Sequence, residues 1–138
     1  MIALDTNLLA RFYVDDPSDP EAARQRPIAR RLVLDSPSLF VPVTVVLELE
    51  WVMRGFYEVD RDAFCDVLLH LLGLPQVTVE RWEAVEAALE VHRKGIEFAD
   101  ALHWALSRGC TGLATFDDRR FARRARRLGL EPPIVLAR

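Results

Sequence analysis

The chain has 138 residues, 51% of them hydrophobic, and a formal net charge of −3. That length and composition suit one domain burying about two-thirds of its unfolded surface, and they exclude a disordered chain. The charge excludes a nucleic-acid binder that works by overall basicity, while leaving room for a local basic patch.

Lys94 is the only lysine; every other basic residue is arginine. Arginine suits bidentate phosphate contacts, but genome composition produces the same bias. Cys65 and Cys110 stand far apart and belong to no C-x-x-C pair, which fits a reducing compartment better than a disulfide framework. Cys65 sits in an apolar helical pattern and reads as packing. No apolar run approaches about 18 residues, and no signal segment is recognisable at the N-terminus. The expectation is a soluble, cytoplasmic protein with no membrane partner.

In chain order, apolar runs predict strands at 2–4, 39–43, 77–79, 112–115 and 133–136. Helical periodicity predicts helices near 6–13, 19–34, 45–54, 60–73, 81–94, 97–108 and 118–128. Pro27 should break or kink the second helix. Gly55, Gly73, Gly95, Gly109 and Gly129 fall where helices should stop. Short apolar strands alternating with helices indicate an α/β fold built on a parallel sheet. No repeat, linker or low-complexity tract divides the chain.

The first strand ends at Asp5-Thr6-Asn7, three residues that are all good helix N-caps. In open α/β sheets, however, the carboxyl ends of the strands are also where ligands bind. The fourth strand ends in Asp117 and Asp118. If strands one and four are neighbours, these acids meet across the crevice.

Two further acids lie on apolar helices. In "TVVLELEWVMRG" Thr44 is the expected N-cap, and Glu48 and Glu50 interrupt an otherwise apolar stretch. They lie about 200° apart at 100° per residue, so at most one faces solvent on a narrow polar edge. The other is either paired with an arginine such as Arg54 or serves a cleft. In "EFADALHWALSRG" Asp100 is set among apolar residues, with His103 one turn on. Asp100 could simply favour the helix dipole, and His103 reads as its partner rather than as a base. His70 and His92 lie in amphipathic helices with no acidic constellation around them and receive no role.

Each acid has a bland explanation, but as a set they are two on strand tips and two on apolar helices. Clustered carboxylates repel, and a hard divalent cation relieves that repulsion with oxygen ligands. Such an ion suits phosphodiester hydrolysis. No Cys/His spacing supports zinc.

"ALDTNLLARF", "VPVTVVLELEWVMRG", "FADALHWALSRG" and "GLATFDDRRFARRARRLGL" resemble, in that order, the motifs of the PIN-domain ribonucleases. They look most like the VapC-type toxins of bacterial toxin–antitoxin pairs. The resemblance covers essentially the whole chain. It implies a single PIN-like domain over 1–138, a three-layer α/β/α sandwich with a short, mostly parallel five-stranded sheet. It also implies Mg²⁺ or Mn²⁺ dependence, endonucleolytic cleavage of RNA, a homodimer and a cognate antitoxin protein. The family's catalytic, metal-binding acids map onto Asp5, Glu48, Asp100 and Asp117, with Thr6, Asn7 and Thr115 at its supporting polar positions. "TFDD" offers two acids where the family has one; Asp117 is taken as the site residue and Asp118 as the N-cap of the last helix. Glu50 is the weaker rival to Glu48.

The run "RRFARRARR" packs six arginines into nine residues. Phe121, Ala122, Ala125 and Leu128 make one apolar face, leaving Arg119, Arg120, Arg123, Arg124, Arg126 and Arg127 mostly outward. They form either a solvated face or a contact for RNA phosphates or an acidic antitoxin segment. Against the nuclease stand two rivals. A non-catalytic PIN-like binding module need not keep all four acids. A receiver-type domain would need a lysine at a late strand tip, whereas Lys94 ends a helix.

Overall fold

The structure is a computed structural model that describes all 138 residues. The chain forms two compact units, Met1–Trp82 and Glu83–Arg138. It is mixed α/β, with seven α-helices and five strands whose pairings are all parallel. No helix is long and apolar enough to cross a membrane.

The first unit runs β1 (Ile2–Ala3), α1 (Thr6–Tyr13), α2 (Pro20–Asp35), β2 (Leu39–Val41), α3 (Val43–Gly55), α4 (Arg61–Gly73) and β3 (Val77–Val79). Its strands form a sheet in the order β1-β2-β3, with Ile2 opposite Leu39 and Leu39 opposite Val77. Helix starts are written in carboxylates. Asp19 accepts the N–H groups of Glu21 and Ala22 before Pro20, and Asp60 accepts that of Ala63. Pro at the first helical position costs nothing, because its missing N–H would have had no partner there. Leu9, Val33, Leu39, Val46, Leu49, Phe64, Cys65 and Leu68 are fully buried, so Cys65 is packing as expected.

Two expectations are corrected by these elements. Pro27 does not break α2, which runs unbroken from Pro20 to Asp35. The ring removes one helical hydrogen bond, while Ala22, Ala29 and Val33 keep a buried face on both sides of it. Thr44 is not the cap of α3. The cap position is Pro42, which has no side-chain donor or acceptor to offer. The Val43 N–H is instead accepted by Glu80 Oε1 at 2.9 Å, from just beyond β3.

The second unit holds nearly all of α5 (Trp82–Arg93), then α6 (Phe98–Leu106), β4 (Leu113–Thr115), a π-helical turn (Asp118–Ala122), α7 (Arg123–Leu128) and β5 (Ile134–Leu136). β4 pairs with β5 alone, so Ala114 lies opposite Val135. Phe98, Ile96, Val85 and Ala101 are fully buried. His92 is buried too, its Nδ1 2.7 Å from the Ile96 carbonyl and its ring edge-on to Phe98. It holds a loop closed. Gly129 closes α7 at φ +67, a left-handed conformation that a side chain would disfavour.

Candidate active site

Each unit presents one pair of the expected acids. In the first, Asp5 follows β1 in extended conformation and accepts the Leu8 N–H on Oδ1 at 3.1 Å. It caps α1, as its residue type allows, and remains exposed. Thr6, the next residue, is 5% exposed and donates its hydroxyl to Glu48 Oε1. The first residue of α1 thereby fixes a carboxylate on α3. Asn7 is exposed and, with Leu8, Arg11, Gln25, Ile28 and Ala29, lines a cavity of about 220 Å³.

The angular separation expected of Glu48 and Glu50 is realised. Glu48 lies on the exposed side of α3, and Glu50 is 4% exposed. Glu50 Oε1 accepts from Arg54 Nε at 2.8 Å, one turn on. The buried acid is therefore the one with the arginine partner, and Glu48 is left with only a neutral hydroxyl. A carboxylate without a cation of its own is the better one to offer to a ligand.

In the second unit Asp100 lies half-buried in the first turn of α6. Its carboxyl is pushed above the usual carboxylate range, first by burial and next by the Asp117 charge. Glu97 adds to the rise and His103 opposes it. Asp100 and Asp117 thus feel each other, 17 positions apart in sequence. Asp117 is held by two bonds. Its N–H donates to Thr115 Oγ1 at 3.0 Å, and its Oδ1 accepts the Arg120 N–H at 2.9 Å.

The cap role expected of Asp118 within "TFDD" is corrected by this geometry. Asp117, not Asp118, is the N-cap. Asp118 lies inside the first turn and pairs with Arg123, Oδ2 to Nη2 at 2.8 Å and to Nε at 3.0 Å. Two charge-assisted hydrogen bonds from Arg123 thus engage Asp118 Oδ2, whereas Asp117 Oδ1 takes only a backbone N–H.

The arginine run divides likewise. Phe121, Ala122 and Ala125 are buried, as the pattern requires. Arg123 is committed to Asp118, and Arg124 donates to the Gly95 carbonyl at 2.9 Å. Arg119, Arg120, Arg126 and Arg127 are exposed.

Neither unit gathers three or more His, Cys, Asp or Glu side chains as a ready cage for a metal. What each holds fits a hard divalent cation nonetheless. The donors are all oxygen, Asp100 and Asp117 repel, and Mg²⁺ commonly uses only one or two carboxylates alongside waters. Residues 2–127 match the family model of the PIN domain. The chain belongs to the PIN domain family. No curated protein matches it. PIN domains are typically nucleases and generally use divalent metal ions, and the matched span of this PIN domain includes all four acids together with Thr6, Asn7 and Thr115.

Sequence reasoning passed over Glu97, whose charge reaches Asp100. The available signal was its spacing, three residues ahead of Asp100, which puts the two side chains on one side of a helix start. It also passed over Phe116, an apolar residue in a strand-tip position where pattern alone gives no sign of exposure.

Proposed function

We propose that this PIN domain is a Mg²⁺- or Mn²⁺-dependent endoribonuclease, cytoplasmic and homodimeric, acting as the toxin of a toxin–antitoxin pair. Asp5, Glu48, Asp100 and Asp117 are its acidic residues. The observation that carries the nuclease reading is the PIN domain match over residues 2–127, which spans all four acids; beside it, the Asp100 carboxyl is held above its ordinary range by burial and by Asp117. Folding leaves two like charges in mutual repulsion here, an arrangement costly for stability and useful for holding a cation.

A divalent metal held by these acids would supply an activated water and charge neutralisation at the phosphodiester. The protein's own part is orientation. Thr6 sets the Glu48 carboxylate, Thr115 sets the backbone of Asp117, and the α1 and π-turn caps hold one oxygen each of Asp5 and Asp117. Asn7 is a polar group beside Asp5 for a sugar or phosphate oxygen. The toxin role and the antitoxin partner are supported by the motif resemblance.

The test is cleavage of single-stranded RNA oligonucleotides with Mg²⁺, with Mn²⁺, and with chelator. Cutting in either metal, absent in chelator and absent in Asp100→Asn, is the expected result. RNA binding with no cutting under any condition would replace the enzyme with a binding module. For the toxin role, growth arrest on expression should be relieved by a small protein encoded beside the gene. Growth unaffected by an RNA-cleaving chain would point to RNA processing instead.

A further inference from the structure

Phe116 is 87% exposed and directly precedes Asp117. Single exposed apolar side chains are ordinary, so exposure alone says little. Three further features set this one apart. Its backbone is clamped on both sides: Thr115 belongs to β4 and pairs with Leu136, and Asp117 is tied to Thr115 Oγ1 and to the Arg120 N–H. The ring therefore stands out from a fixed support instead of a loose loop. The next cations along the chain, Arg119 and Arg120, are exposed, with no carboxylate partner for either guanidinium. Asp118, the acid that could have cancelled them, is taken by Arg123.

An aromatic face, two uncommitted guanidinium groups and a carboxylate follow one another within five residues, 116–120. Phe116 is the chain neighbour of Asp117, with Cα atoms about 3.8 Å apart, so a nucleotide held through a cation at that carboxylate lies alongside the residue that carries the ring. Aromatic stacking with cationic phosphate contacts is the general chemistry of single-stranded nucleic-acid recognition. We infer that Phe116 is a substrate-positioning residue that stacks on a nucleobase adjacent to the scissile phosphate of single-stranded RNA, with Arg119 and Arg120 holding the flanking phosphates. The inference rests on the nuclease reading and goes beyond it, because it assigns base-face recognition to a residue outside the acidic set. Stacking tolerates every base, so this residue gives preference for unpaired RNA over duplex and little preference among sequences.

The experiment compares wild type, Phe116→Ala and Phe116→Trp on two oligomers of equal length. One is single-stranded oligouridylate and the other is an abasic ribose-phosphate chain. Binding is read by anisotropy in chelator, where the RNA stays intact, and cleavage of the oligouridylate is followed in parallel in Mg²⁺. Wild type should prefer the oligomer with bases by about tenfold, Phe116→Ala should lose that preference, and Phe116→Trp should keep it. The abasic chain should bind all three proteins alike. If wild type cuts RNA while Phe116→Ala binds and cuts it equally well, this inference fails and the nuclease reading stands. If wild type neither binds nor cuts RNA, the nuclease reading fails and this inference with it. If Phe116→Ala instead turns a dimer into a monomer by light scattering with base preference unchanged, the ring belongs to contact with a second copy of the chain, and the inference is overturned. Because Phe116 is exposed, its truncation opens no core cavity, and thermal unfolding of all three proteins should agree.

Discussion

Asp117 and Asp118 differ by one position and by nearly everything else. Asp117 takes a single backbone N–H and feels Asp100, whereas Asp118 is paired with Arg123. Asp117→Asn keeps the cap, since Asn caps helices as well as Asp does, so the protein should stay folded while metal-dependent RNA cleavage falls by about a hundredfold or more, as loss of preorganised charge stabilisation does. Asp118→Asn breaks a largely exposed ion pair worth about 0–1 kcal/mol and should alter cleavage no more than a few-fold. Equal loss in the two variants would overturn this separation of their roles. Asp100 yields a second prediction, read without RNA. Its raised carboxyl means that the folded state holds the proton more tightly than the unfolded chain does. Stability is therefore lost as pH rises from the unfolded value through the raised folded one, and the penalty persists at neutral pH. Asp100→Asn removes it. In chelator at neutral pH the variant should melt above wild type, and the gap should close on acidification. Mg²⁺ should raise the wild-type melting temperature more than the variant's. A variant that melts lower in chelator would make Asp100 a structural residue.

At the scale of elements, what the sequence reveals is whatever local pattern controls. Helix α1 is expected at 6–13 and spans Thr6–Tyr13, because Asp5, its cap, and its apolar stripe lie within one short window. Glu48 and Glu50 can be told apart for the same reason: helix geometry alone puts them on opposite sides, and Arg54 lies one turn from Glu50. What stays hidden depends on long-range partners or on choices too fine for pattern. Adjacent acids at a helix start are equally good caps by type, so nothing local distinguishes Asp117 from Asp118. The start of α3 eludes local reading because its cap comes from Glu80, 37 residues away, across a sheet that must already be assembled. That long-range cap can be tested. Glu80→Ala should cost about 1 kcal/mol and lower the melting temperature by about 2–4 °C, while Glu80→Gln, which keeps an acceptor, should cost less. No change in Glu80→Ala would mean that water serves the Val43 N–H equally well. The four acids of the proposed site stand out in the sequence as a set, but the bonds from Thr6 to Glu48 and from the Asp117 N–H to Thr115 do not.

At the scale of the whole molecule, the net charge of −3 conceals an uneven distribution. Met1–Trp82 carries 13 acidic and 8 basic residues, and Glu83–Arg138 carries 8 acidic and 10 basic. An acidic protein can still attract RNA when its cations are concentrated, because the field near a patch follows the local charges within about a Debye length. The arginine run is that concentration, but its members are not equivalent. Arg123 and Arg124 are bound to Asp118 and Gly95, so replacing them perturbs internal bonds as well as any grip on RNA. Arg126 and Arg127 are exposed on α7 with basic neighbours, and they are the cleaner probes. Each phosphate neutralised on a single strand adds about 0.7 to the steepness of log affinity against log salt. Changing Arg126 and Arg127 together to Gln should weaken binding of single-stranded RNA across sequences and flatten that slope by about 0.7 for each phosphate no longer neutralised. Thermal stability should barely move, since neither side chain holds the fold. Arg124→Gln should do the reverse, lowering the melting temperature because its hydrogen bond to the Gly95 carbonyl is removed, while changing the slope by less than one phosphate's worth. The measurements are anisotropy titrations over a series of salt concentrations and thermal unfolding of each variant. An unchanged slope in the Arg126/Arg127 variant would leave those two arginines as a solvated face, with the RNA held through Arg119 and Arg120 beside Asp117.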